Sequence, residues 1–217
     1  MAKGNTKDRI AQAAIHLFNE RGTAAVSTNH IAEAAGVSPG NLYYHFRNKE
    51  EIIRAIFERM NTSWGQVFAL PPGDQASPLA NLRRMLEETF SLMWNYRFFY
   101  REFVALVRRD PELGQRYQGV RENGLANTEF LLKTFVEGGV LREPEDPTAT
   151  PRLAKILWLI TEFWLPFSEM GEEISRPERL HEGVELMMQV LRPYMTDEAV
   201  VEPGWDRHEA HMREDKS

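Results

Sequence analysis

Residues Val26 to Glu51 read VSTNHIAEAAGVSPGNLYYHFRNKEE. Ser27 or Thr28 can cap a short helix that turns Ile31, Ala34 and Ala35 inward, because a hydroxyl accepts from the free N–H groups of a first turn. Gly36 supplies the turn that follows. Ser38 is a second N-cap, and Pro39 falls at the first helical position, where a missing N–H costs nothing. Asn48 and Glu51 have the spacing of a capping box, and Ile52, Ile53, Ile56, Phe57 and Met60 then mark a further helix. Helix, tight turn, helix is the arrangement that lays a second helix in the major groove of DNA.

Such a second helix must bury one face and offer the other. Leu42 and Phe46 are four residues apart and pack inward with Ile31 and Val37. Pro39, Gly40, Asn41, Tyr43, Tyr44 and His45 remain on the outer side. Asn41 can bond base edges, adenine being the best geometric match. Tyr43, Tyr44, His45 and Lys49 can donate to phosphates, and Gly40 leaves room for a base or a thymine methyl. Aromatic side chains on the wet side of a short helix favour a contact surface, although Tyr43 and Tyr44 can instead pack between helices. Asn48 reads as a cap rather than a contact. Lys3 and Lys7 are either solvated charges or a basic arm reaching phosphates.

Working outward, Ile10, Ala13, Ala14, Leu17 and Phe18 repeat with helical period, so residues 6–21 form an amphipathic helix ended by Gly22. Leu70–Ser77 (LPPGDQAS) is a break. Beyond it, Leu79, Leu82, Leu86, Phe90 and Met93 form an apolar stripe. A helix from Arg97 stops at Asp110-Pro111, and a long one runs from Pro111 to Glu137 and ends at Gly138-Gly139. After a loop at Glu143–Pro151, two apolar helices fall near residues 152–170 and 177–195, and a polar tail starts at Thr196. The fold class is all-α, with about nine helices and no internal repeat. The expected organisation is a reader domain at 1–50, a connecting helix at about 48–65, a helical body at 51–196 and a flexible tail at 197–217.

The segment from Thr6 to Met60 resembles the TetR family of transcriptional regulators. The first helix ending in LFNERG, the STNHIAEAAGVSPGNLYYHF block, the Leu-Tyr-x-His-Phe pattern at Leu42–Phe46 and the following NKEEI carry the resemblance. It implies that Thr28 and Asn29 contact backbone or bases, that Ser38, Gly40, Asn41 and Tyr43 form the reading face, and that Tyr44, His45 and Lys49 lie on phosphates. Many members carry a base-reading Arg, Gln or Lys near Asn29 or Pro39; here only Asn29 is available, so the operator sequence is not implied. The resemblance also implies an all-helical body that dimerises through its last two helices and holds a ligand among the middle ones.

The body fits that layout on its own residues. Leu153, Ile156, Leu157, Ile160, Phe163 and Trp164 make one apolar face, and Leu180, Val184, Met187, Met188 and Leu191 make another. Two such helices suit a four-helix homodimer interface, or burial in their own subunit. Phe90, Met93, Trp94, Phe98, Phe99 and Phe103, with Tyr117 and Trp158, suit an apolar pocket or a plain core. The expected effector is small and apolar or amphipathic, such as an acyl thioester or fatty acid, a suggestion that also follows from likeness to regulators of lipid or storage-polyester metabolism. Arg97 and Arg101 share a helix face and are either an anion clamp or a solvated surface.

Charge supports the division. The 217-residue chain has a net charge of −6, but residues 1–50 carry Lys3, Lys7, Arg9, Arg21, Arg47 and Lys49 against Asp8, Glu20, Glu33 and Glu50, a local +2 on a −8 body. Because salt screens charge beyond roughly 8 Å, phosphate attraction follows the local balance. The absence of cysteine excludes disulfides and thiolate metal sites. No leader-like run follows the N-terminal lysines, and the apolar stretch Ile156–Phe167 is too short to span a bilayer, so a cytoplasmic location without membrane contact is expected. His208 and His211 lack further ligands, and no metal, cofactor or catalytic residue is expected. The reading is a homodimeric repressor of a pseudo-palindromic DNA operator, released by its effector. Activation by the same family, a helical protein-interaction module or an enzyme are the alternatives.

Overall fold

The computed structural model describes residues 5–67, 77–170 and 179–201. Helix α1 spans Thr6–Ala25, with Asn5 accepting from the Lys7 N–H. Its regular part ends at Gly22, whose φ of 73° no L side chain adopts cheaply. Helix α2 covers Thr28–Ala34 and α3 covers Pro39–His45. Ser27 caps α2 in a reciprocal box with His30, and Ser38 caps α3 by accepting from the Asn41 N–H. Gly36, at φ 62°, makes the turn between them. Helix α4 runs Lys49–Val67, with Asn48 accepting from the Glu51 N–H at 2.9 Å.

The body comprises α5 (Pro78–Asn95), α6 (Arg97–Arg109), α7 (Pro111–Glu137), α8 (Ala149–Glu169) and α9 (Arg179–Leu191). A 3-10 turn, Arg192–Tyr194, and a short α10, Asp197–Val201, close it. Among the described residues the chain is helical apart from turns, loops and one isolated bridge between Leu141 and Met195. Helix α5 packs on α9 and α7 on α8, while α6 touches α1, α7 and α8. The break at Leu70–Ser77 lies outside the described residues except Ser77, which caps α5. The expected tail at 197–217 is corrected at its start. Residues 197–201 are helical and Ala199 is buried, because the segment after α9 pairs with the turn after α7: the Thr196 N–H donates to the Val140 carbonyl at 3.0 Å. His208 and His211 lie outside the described residues.

Reader and body are joined through two seams. At the first, Phe98 of α6 is fully buried against Phe18 of α1, ring centroids 5.2 Å apart. Burying each such ring contributes about 1.5–3 kcal/mol. Asn19 donates to the Asn95 carbonyl and accepts from the Phe98 N–H, so one amide closes both unpaired groups at the α5–α6 corner. Glu102 accepts from the Thr23 backbone N–H at 2.7 Å and from its hydroxyl. At the second seam, Arg54 of α4 pairs with Asp110, the N-cap of α7, and Arg116 of α7 reaches back to Glu58 of α4.

Candidate nucleic-acid interface and ligand cavity

Helix α3 separates its faces as its period requires. Leu42 is fully buried and Phe46 nearly so, against Ile31 of α2, while Val37 is half-buried. On the opposite side Asn29, Ser38, Gly40 and Asn41 are exposed. Tyr44 is 83% exposed and Tyr43 50%, so neither is packed away between helices. The Tyr43 hydroxyl lies 2.9 Å from the Thr28 hydroxyl, which ties the start of α2 to the outer face of α3. Tyr44 meets the half-buried His45 edge to face. Arg9 braces the unit from behind by donating to the carbonyls of Ala35 and Gly36 at the end of α2. Nothing in the local pattern marks Arg9 for this work, since its partners lie 26 and 27 residues away.

Lys49 is the exception on this face. Its ammonium donates to the carbonyls of Thr23 at 2.6 Å and Val26 at 2.9 Å. These bonds satisfy open carbonyls where α1 ends and clamp α1 to α4, and one of the three ammonium N–H groups remains for the expected phosphate.

A cavity of about 630 Å³ lies within the body, walled by α4 to α9. Of the residues read as pocket candidates, Phe99, Tyr117 and Trp158 line it. The other five residues expected there do not. Phe90 and Met93 are fully buried core, with Phe90 pressed on Gly183 of α9. Phe98 fills the seam with α1. Trp94 lies under the Arg97 guanidinium, 4.7 Å from its centroid, and Phe103 packs between Tyr117 and Phe163. The missed wall comes from α4 (Phe57, Met60, Asn61, Trp64), from Asn123 and Asn127 of α7, and from Glu162 of α8. Glu162 carried a readable signal, a carboxylate interrupting the apolar run Ile156–Phe167.

Glu162 is only 5% exposed, and its Oε2 accepts from the Tyr117 hydroxyl at 2.8 Å. Burial pushes its carboxyl up to about 7, against the smaller opposing effects of the Tyr117 hydrogen bond and the Arg121 charge. Burial, then the Glu162 charge, raises the Tyr117 phenol in turn. Trp158 rests on Gly124, where a Cβ would overlap its ring, and its indole N–H has no hydrogen-bond partner of good geometry. Arg97 and Arg101 do not reach the cavity wall: Arg97 donates to the Trp94 carbonyl, and Arg101 makes a two-pronged pair with Glu169 at 2.7 Å per bond.

The expected dimer residues divide. Val184, Met187, Met188 and Leu191 are each no more than 2% exposed and belong to their own subunit's core, where Met187 and Leu191 reach the cavity. That corrects the α9 face: its apolar stripe is consumed by α5 and α8. Helix α8 does leave apolar surface outside. Ile156 and Phe163 are exposed, together with Leu159 and Phe167, which were not expected, while Ile160 and Trp164 are half-buried. Leu186 of α9 is also exposed.

Comparisons with known proteins agree with this geometry. Residues 10–56 match the family described as bacterial regulatory proteins, tetR family, and residues 49–201 match TetR, bacterial transcriptional repressor. The chain is 43% identical over 196 residues to the HTH-type transcriptional regulator UidR of Escherichia coli strain K12, spanning 84% of this chain and 91% of that one. It is 29% identical over 214 residues to the HTH-type transcriptional regulator AcrR of Shigella flexneri, spanning 91% and 95%. A TetR-family transcriptional regulator from Marinobacter aquaeolei VT8 has the same fold, with a TM-score of 0.80, 29% identity and coverage of 97% and 98%. Among the described residues no helix is long and apolar enough to cross a membrane.

Proposed function

The chain belongs to the TetR family and is a DNA-binding transcriptional regulator, and from that premise we propose that α3 reads a pseudo-palindromic operator and that the cavity in the body holds the effector that releases it. The observation carrying this reading is the exposure of Tyr44 beside a fully buried Leu42 on one short helix. Asn29, Gly40, Asn41 and Tyr43 face the bases, with Thr28 and Ser38 at the helix starts, and Tyr44 and His45 take phosphates. The protein works in the cytoplasm, in contact with DNA, as a homodimer, and carries out no catalysis.

The dimer forms through the exposed row Ile156, Leu159, Phe163 and Phe167 of α8 and the exposed Leu186 of α9. Two reader helices then sit about 34–36 Å apart, the separation of successive major grooves. The effector is small and amphipathic. Filling the cavity moves α4, which supplies Phe57, Met60, Asn61 and Trp64 to its wall and carries Lys49 at its other end. A coupling of about 1–3 kcal/mol lowers operator affinity 5–150-fold. Gel shifts on DNA selected from a random pool, repeated across salt concentrations, test the DNA reading. A steep loss of binding with salt supports it, and no binding at low salt overturns it.

A further inference from the structure

Glu162 stands on the wall of a cavity that is otherwise largely apolar, which Phe99, Tyr100, Tyr117 and Trp158 also line. The carboxyl is 5% exposed, and Tyr117 supplies its one hydrogen bond of good geometry. The groups acting on it are Tyr100 from α6, Tyr117 and Arg121 from α7 and Trp158 from α8; none comes from α5 or α9 among the described residues. Arg121 is exposed, so among the described residues no buried cation neutralises the carboxylate. We propose that the cavity selects an aromatic organic cation, a flat apolar body bearing one protonated amine, whose nitrogen seats against Glu162 among the rings of Tyr100, Tyr117 and Trp158. The inference rests on the reading of this cavity as the effector site, and it names that site's ligand class.

Three physical arguments converge on it. A buried carboxylate met at close range only by neutral groups, Tyr117 and Trp158, is stabilised most by an opposite charge. Ring faces carry negative quadrupoles, which attract a cation and oppose an anion. A ligand carboxylate would meet Glu162 in a water-poor space where two like charges cannot both ionise. A fatty acid is therefore disfavoured, and Arg97 and Arg101 are engaged with Trp94 and Glu169. Because Glu162 titrates at about 7, pairing with a cation expels its proton, and binding tightens as pH rises.

The test uses the full-length chain and three fluorescent probes with one body: 1-pyrenemethylammonium, 1-pyrenemethanol and 1-pyrenecarboxylate. At pH 8 the ammonium binds at least tenfold tighter than the alcohol, and the carboxylate binds weakest. Between pH 6 and pH 8 the ammonium's affinity rises about tenfold while the alcohol's stays level. Glu162→Gln removes that slope and brings the ammonium to the alcohol's affinity. Tyr117→Phe, which keeps the carboxyl, keeps the slope. Alcohol binding without preference for the ammonium, or a slope that survives in Glu162→Gln, overturns the charge selection and leaves the cavity reading intact. Failure of all three probes to bind overturns the cavity reading and this inference with it.

Discussion

Arg54 on α4 and Asp110 at the head of α7 meet at 2.7 Å, both largely buried, and Asp110 at the same time accepts from the N–H groups of Glu112 and Leu113. One carboxylate thus caps a 27-residue helix that walls the cavity and holds the helix that leads to the reader. Arg54→Ala leaves that carboxylate without its cation and costs about 3 kcal/mol. Denaturant unfolding reads the loss. Effector-induced release from DNA weakens in the same variant, because α4 and α7 no longer move as one body.

Tyr44→Ala separates reading from folding. The side chain is 83% exposed, so stability changes by no more than about 0.5 kcal/mol. Operator affinity falls tenfold or more in a gel shift. Lys49→Ala gives the contrary pattern. It removes two charge-assisted bonds to the end of α1 and costs about 2 kcal/mol, seen as a lower melting temperature. Unchanged stability in Lys49→Ala would overturn the clamp.

Phe167→Glu places a charge in the exposed apolar row of α8, at a residue 64% exposed in the single subunit. Sedimentation then shows monomer at concentrations where the parent is dimeric. Operator binding falls with it, since one reader helix holds only half a site. A dimer that persists in Phe167→Glu moves the interface elsewhere.

Glu162 makes stability pH-dependent with a definite sign. Its carboxyl titrates at about 7 when folded against 4.5 unperturbed, so between these values the folded chain holds a proton that the unfolded chain has lost. The contribution is complete below about 4.5 and is lost as pH rises towards 7, by roughly 3 kcal/mol in all. Glu162→Gln lacks that slope. Parallel unfolding titrations of parent and variant from pH 4.5 to 8 measure it, and parallel curves would place the carboxyl in water.

Gly22→Ala forces an L side chain to φ 73° and sets its Cβ 3.0 Å from the Glu102 carboxylate that holds Thr23. With ψ at 161° this backbone lies in a region essentially confined to glycine, and the expected loss is about 1–3 kcal/mol by thermal melting. Because the α1–α6 seam loosens, the variant also becomes more open to proteolysis near Thr23.

Much of this protein is local and was legible as such. Ser27, Ser38 and Asn48 cap helices through atoms three residues away, Gly36 sits in the turn, and the period of Leu42 and Phe46 decides which side of α3 is buried. Interactions of that reach need no tertiary context, so the helix-turn-helix, the all-α class and the bounds of α6 and α7 follow from the chain alone. Tertiary structure decided the rest. Lys49 finds carbonyls 23 and 26 residues away, the apolar stripe of α9 is taken by its own subunit while α8 keeps one outside, and Phe90 and Phe98 fill seams instead of the cavity. Helical period says that a face must be covered, not by what. Only the packing of α6, α7 and α8 brings Tyr117 to a carboxylate 45 residues distant, and the low dielectric around that pair is what turns an acidic side chain into a selector of charge.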